Sequence, residues 1–159
     1  MSMLRLGAAK VGRRPQAGSV FLLAGDAEEL PFAGNSFDLV MGAFGVRNFG
    51  HIPTGMKEAW RVLRPGGEIL VLDFSEPALP LFKQAYRFYF KRVLPLLGRL
   101  VSGNRRAYSY LPQSVDTFPQ GRAFEKLLEG AGFVETRTTL LTLGISAVYQ
   151  GRKPGKPVD

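Results

Sequence analysis

Asp26, in the run Gly25-Asp26-Ala27-Glu28, places a carboxylate where the chain leaves a short apolar stretch. One use for it is to accept a hydrogen bond from an amino group such as that of adenine. Backbone amides around Ala27 would then serve the ring nitrogens, with Leu30 or Phe32 as a wall. The other use is to cap a turn, for which aspartate is equally suited. Spacing alone leaves both open. A second polar group, Arg47, Asn48 and His51, follows a second apolar run. Taken without context, Arg47 reads as a surface arginine or half of a structural salt bridge. His51 has a proton affinity suited to relay near neutrality, although an exposed loop histidine is the simpler reading. Glu28 and Glu29 read as solvated. With one histidine and no cysteine, disulfides, thiolate metal sites and multi-histidine metal centres are excluded.

Groups of this kind need strand ends to hold them. Ser19 to Ala24, a short apolar run between glycines, predicts a buried strand that delivers Asp26. Asp38 to Ala43 predicts the next strand, which delivers Arg47 and Asn48. Pro53 suits the first turn of a helix running to about Leu63, with Met56, Ala59, Trp60 and Leu63 at helical spacing on its buried face. Arg64-Pro65-Gly66-Gly67 ends that helix and launches Glu68 to Phe74. This near-continuous apolar strand is of the kind found at the centre of a parallel sheet covered on both faces.

Elsewhere, Met3 to Val11 predicts a helix closed by Gly12. Pro77 to about Val101 is amphipathic, with Lys83, Arg87 and Lys91 on one face, and Asn104 to Asp116 reads as a loop and short helix. Arg122 to Gly130 is helical. Val134 to Leu143 and Ser146 to Arg152 predict an antiparallel pair joined through Gly144. The Pro/Gly/Lys-rich end frays, with 153–159 disordered. Strands alternating with helices imply an α/β sheet, in which ligands collect beyond the carboxyl ends of the strands.

The composition, 159 residues with 45% hydrophobic content, 12 Phe and 5 Tyr, fits one globular domain rather than a disordered chain. Net charge is +8, from 21 Lys+Arg against 13 Asp+Glu. Most of the excess lies in Lys10 to Arg14 and Lys83 to Arg106. Such a surface attracts nucleic acid, anionic lipid or acidic small molecules. The N-terminal residues contain no secretory apolar region and no window is apolar enough to span a membrane, so a cytoplasmic protein is expected.

The segments DAEELPF, NSFDLV, FGVRNF, RVLRPGG and YSYLPQSV, in this order, resemble the ubiquinone/menaquinone biosynthesis C-methyltransferase family. SMLRLGAAK resembles that family's helix just after its second strand. RPGG is shared by many methyltransferases, whereas FGVRNF combined with YSYLPQSV is specific, because neither is needed merely to build a fold. The resemblance runs from about Ser2 to Arg152. It implies an α/β, Rossmann-like class I methyltransferase sheet with a C-terminal antiparallel hairpin. The donor would be S-adenosyl-L-methionine (SAM), and the acceptor a prenylated quinol, either demethylmenaquinol or a polyprenyl-benzoquinol. The family's cofactor contacts carry over onto Asp26 and Ala27, and onto Ala43, where the family's serine and its hydroxyl contact are lost. Arg47 and Asn48 match the Arg-Asn pair beside the acceptor ring. The resemblance makes Arg47 the catalytic residue: a guanidinium beside a quinol oxygen favours the anion and pushes electron density onto the ring carbon. Tyr108 and Tyr110 either bound the quinol or pack within a mixed helix.

The same resemblance sets expectations about organisation. Residues 1–152 form a partial class I domain, truncated at the N-terminus with the first two strands missing, and 77–118 form a helical cap insertion. The family's glycine-rich loop and ribose-binding acid have no counterpart, so half a cofactor site is expected. The missing strands would stand between those ending at Ala24 and Ala43. A piece of a normal enzyme, a chain completed by a partner, and a non-catalytic lipid or quinone binder each account for this. Cations interleaved with Phe82, Phe88, Phe90 and Leu94 suit a cap that also touches an anionic membrane surface. Nucleic acid is not the expected partner, since no binding motif accompanies the charge. Homo-oligomers are compatible with the pattern.

Overall fold

The computed structural model describes residues 3–13, 17–77, 79–89, 92, 114–115 and 117–155. Helix α1 spans Met3–Val11, and Gly12 N–H bonds back to the Ala8 carbonyl at 2.9 Å, as the C-terminal glycine predicts. Strand β1 (Phe37–Ala43), helix α2 (Ile52–Val62) and strand β2 (Leu63–Phe74) form a β-α-β unit. Helix α3 (Pro80–Phe88), helix α4 (Arg122–Ala131), strand β3 (Val134–Leu141) and strand β4 (Ser146–Arg152) follow.

Among the described residues the sheet has four strands in the order β1-β2-β4-β3. β1 lies parallel to β2, with Met41 opposite Leu70 and Ala43 opposite Leu72. β4 is antiparallel to both of its neighbours. The α/β sheet and its C-terminal hairpin are therefore as the sequence leads one to expect, and β2 is an interior strand. Its burial differs from expectation. Ile69, Val71 and Asp73 are buried while Leu70, Leu72 and Phe74 are only partly so. One face is sealed by α2 and α4, whose Met56, Ala59, Phe124 and Leu128 meet Ile69, Val71, Ala147 and Tyr149 in the main core.

Two elements depart from the sequence reading. Ser19 to Ala24 is not a strand. A short 3-10 turn, Ala17–Ser19, leads into an unpaired stretch in which Phe21 is 92% exposed. A strand needs a neighbour to take its backbone donors and acceptors. Among the described residues none stands between this stretch and β1. An apolar run reports a tendency to be buried but not the presence of a partner. The second departure is at the other end of the chain. Lys153, expected in the frayed tail, is buried, and its backbone pairs with Gly66 and Gly67 at 3.0 and 2.8 Å. Its ammonium donates to Asn35 Oδ1, Trp60 O and Leu63 O at 2.9, 2.9 and 2.7 Å and lies 3.9 Å from the Trp60 ring centroid. Those carbonyls at the end of α2 lack helical partners, and a cation satisfies them.

Gly132 closes α4 in the left-handed conformation, φ 103°, which a side chain would strain. Its carbonyl accepts from Trp60 Nε1 at 3.1 Å, docking α4 against α2.

Candidate active site

The site is built at the carboxyl ends of β1 and β2. Beyond Ala43 the chain turns sharply: Phe44 takes φ 54°, unusual for an aromatic residue, and its N–H donates to Leu72 O at 2.8 Å. A 3-10 turn, Val46–Asn48, follows, with Val46 buried. This turn aims Arg47 at the neighbouring strand. Arg47 Nη1 donates to Asp73 Oδ1 at 2.8 Å and to Phe44 O at 2.6 Å. The Arg47 side chain is 10% exposed and Asp73 is fully buried. Asp73 also accepts from its neighbour's amide, Phe74 N, at 2.8 Å, and from Arg47 N at 3.4 Å. The guanidinium carbon lies 5.1 Å from the Phe74 ring centroid. Arg47 Nε is buried and has no acceptor among the described residues.

Asp26 does cap a turn: its Oδ1 accepts from Glu28 N at 2.9 Å, and its side chain is exposed. The loop that follows is tied to α2. Glu58 Oε2 accepts from Leu30 N at 2.9 Å, and Arg61 donates to Leu30 O and Phe32 O at 2.9 and 2.7 Å. Glu58 and Arg61 are themselves paired at 2.7 Å. The Arg61 hydrogen bond holds the Glu58 carboxyl below the usual carboxylate range, with the Leu30 amide adding to it against the cost of burial. Glu28, read as solvated, instead accepts from His51 N at 2.7 Å. His51 caps α2, its Nδ1 lying 2.6 Å from Thr54 Oγ1, and is exposed.

These ties wall an apolar cavity of about 180 Å³ between the loop, β1, β2 and α2. Ala27, Leu30, Val40, Gly42, Val46 and Met56 are among its lining residues. The structure thus brings Ala27 and the turn bearing Arg47 to one cavity, with Leu30 as a wall. Phe32 instead packs edge-on against Phe37, ring centroids 4.9 Å apart. Ala43 and Asn48 are exposed at the strand exit. Tyr108 and Tyr110 lie outside the described residues.

At the end of β2, Ser75 is buried and Tyr149 OH accepts from Gly121 N at 3.2 Å. Burial pushes the Tyr149 hydroxyl above its ordinary value; the Gly121 amide opposes this and the negative charge of Asp73 adds to it. Tyr149 therefore stays neutral. Lys83, from the basic stretch, pairs with Glu76 at 2.7 Å. Asp73 is the partner of Arg47 to which the sequence reading gave no role. Its signal was there, a lone carboxylate ending the apolar run Ile69 to Phe74. Chemically, the site offers an apolar slot whose Val46 wall belongs to the same turn as the fixed Arg47 guanidinium.

Residues 1–153 match the ubiE/COQ5 methyltransferase family. The chain is 45% identical over 151 residues to the ubiquinone/menaquinone biosynthesis C-methyltransferase UbiE of Geotalea daltonii, covering 95% of this chain and 64% of that protein. It is 44% identical to the demethylmenaquinone methyltransferase of Deinococcus radiodurans, covering 95% and 61%. It is 40% identical to the mitochondrial 2-methoxy-6-polyprenyl-1,4-benzoquinol methylase of Bos taurus, covering 95% and 46%. The chain thus spans less than two thirds of the length of these relatives. Among solved structures, a SAM-dependent methyltransferase from Aquifex aeolicus shares the fold, with TM-score 0.63, 15% identity, and 94% and 63% of the two chains covered. Human N-acetylserotonin methyltransferase, solved in complex with SAM, shares it with TM-score 0.53, 21% identity, and 83% and 33% covered.

Proposed function

Because this chain belongs to the ubiE/COQ5 methyltransferase family, we propose that it works in the SAM-dependent C-methylation of a prenylated quinol during quinone biosynthesis. The observation that carries this reading is the shared cavity: Ala27, next to Asp26, and Val46, next to Arg47, line one apolar slot against β1, β2 and α2. SAM, when bound, supplies an electrophilic methyl group. The residues present suit its adenine end. Ala27 and Leu30 offer an apolar wall, and only one Asp26 carboxylate oxygen is used by the turn. Ala43 adds backbone and van der Waals contact where a hydroxyl would otherwise stand.

Methylation at carbon needs an electron-rich ring carbon in line with the transferred group. Holding such an arrangement accounts for up to about 7–11 kcal/mol of barrier lowering. Arg47 and Asn48 stand beside the acceptor oxygen, and the guanidinium favours its anion, which raises electron density on the ring. The acceptor's polyprenyl tail resides in a membrane. In support of contact there, Leu79, Leu81 and Phe88 at α3 are 62%, 82% and 65% exposed. Among the described residues no helix is long and apolar enough to cross a membrane. The same exposed residues support a second reading, a quinone- or lipid-binding unit without turnover.

Transfer of labelled methyl from SAM to demethylmenaquinol and to a polyprenyl-benzoquinol, with calorimetric titration of SAM, tests the proposal. Transfer to either quinol is expected. SAM binding with no transfer to either would leave the binding reading, and no SAM binding at millimolar ligand would remove the enzymatic one.

A further inference from the structure

We propose that Asp73 is a positioning residue for the methyl-transfer chemistry, acting on Arg47; as a statement about turnover this rests on the function proposed above. Asp73 is fully buried behind Arg47, which places it to act through that side chain rather than on a ligand directly. Its two oxygens grip Arg47 twice, Oδ1 through Nη1 at 2.8 Å and Oδ2 through the backbone amide at 3.4 Å. Phe44 O takes Nη1 as well, at 2.6 Å. One guanidinium nitrogen is therefore saturated by groups from two adjacent strand exits, and the plane of the side chain is set by them rather than by solvent.

The remaining donors are left over by this grip. Nε–H is buried with no acceptor among the described residues. A buried donor without a partner is costly and in native structures marks a ligand, an ion or stored strain. Asp73 keeps it in place by removing the alternatives: a free arginine would rotate to satisfy itself. The pair also leaves the site close to neutral until an acceptor oxygen becomes anionic. Arg47 then acts through directed donors rather than as an uncompensated cation, and Asp73 decides their direction.

Two measurements on the full chain test this. In protein labelled at arginine nitrogen, NMR is expected to resolve Arg47 Nη1 and Nη2 as separate signals with slow Nε–H exchange, the mark of hindered rotation. A single averaged Nη signal in the unmutated chain would overturn the proposal with no variant and no activity needed. Asp73→Asn keeps the shape and one acceptor but loses the charge. It is expected to collapse the two Nη signals and lower kcat about a hundredfold, with KM and SAM affinity within about twofold. A folded Asp73→Asn protein with unchanged kcat would also overturn it. If that variant does not fold, the spectrum of the unmutated chain decides. If the unmutated chain transfers no methyl group, the proposed function fails, while the spectrum still reports on Asp73.

Discussion

Arg47 Nη1 lies 2.8 Å from Asp73 Oδ1, an ion pair that joins the carboxyl ends of two adjacent parallel strands with the carboxylate fully buried. Its burial changes what an arginine deletion means. Arg47→Ala strands a buried carboxylate, a change that costs about 3–5 kcal/mol in comparable sites. Lost turnover in that variant therefore mixes chemistry with folding. The double variant Arg47→Met/Asp73→Leu removes both charges and is expected to recover most of that loss in urea unfolding, while methyl transfer stays absent. A double variant as unstable as Arg47→Ala would show that the orphaned charge is not the cause.

Glu58 makes the cavity wall sensitive to acid. Its carboxyl is held below the ordinary 4.5, first by Arg61 and then by the Leu30 amide. A carboxylate lowered on folding contributes stability that is present above its unfolded value and lost as pH falls through the folded one. Below about pH 4.5 the loop from Asp26 to Phe32 is expected to detach from α2 before the sheet melts. Hydrogen exchange at Leu30 reads this directly: protection there is lost on acidification ahead of protection at Val71. In Glu58→Gln it is low at every pH.

How much of this was legible depends on range. α2 announced itself through Pro53 and through Met56 and Ala59, which are indeed buried, because helical periodicity is local. The hairpin was equally visible as two runs joined through Gly144. Ser19 to Ala24 was misread since a strand is a property of two segments, and composition reports only one. Asp73 was passed over for a related reason: its meaning comes from Arg47, which the parallel register of β1 and β2 brings alongside. Lys153 looked like tail because Pro154 and Gly155 follow it. What anchors it, the carbonyls of Trp60 and Leu63, lies far back in the chain.

Gly55 keeps the cavity open. A Cβ there would meet the Phe49 ring at 2.5 Å and Ala27 O at 3.6 Å. Alanine is the better helix former by about 0.8–1.0 kcal/mol, so propensity alone predicts that Gly55→Ala stabilises. Overpacking costs typically about 1–3 kcal/mol and here acts on a ring that also lines the slot. Net destabilisation and weaker SAM binding are expected together. A higher Tm with unchanged binding would show that Phe49 moves aside freely.

Lys153→Met tests the C-terminal anchor. It keeps the side-chain length but leaves the carbonyls of Trp60 and Leu63 unpaired, at about 1–3 kcal/mol for a buried group. Burial also lowers the Lys153 pKa from 10.5. Between the lowered value and 10.5 the unfolded chain holds the extra proton, so stability rises with pH in that window. Keeping measurements about one unit or more below 10.0, the ordinary value for tyrosine, keeps the contribution of Tyr149 small. The unmutated protein is expected to gain stability there and Lys153→Met to show no such gain; identical slopes would remove Lys153 as the source.

α3 bears on where the protein works. Leu79 and Leu81 are 62% and 82% exposed at its start, whereas Tyr86 on the same helix is buried against Val115. The helix therefore has a docked side and an apolar side facing water. Apolar residues in that position favour a lipid interface, and each Lys or Arg near an anionic leaflet adds about 1 kcal/mol. Vesicles containing anionic lipid are expected to retain the protein at low salt, and neutral vesicles to retain it less. Leu79→Ser/Leu81→Ser is expected to weaken both, because it removes apolar area and leaves charge untouched. If the double serine variant binds anionic vesicles as the unmutated chain does, attraction is purely electrostatic and α3 does not enter the interface. Binding to duplex DNA with the same salt dependence would instead show that the net charge of +8 acts without regard to partner.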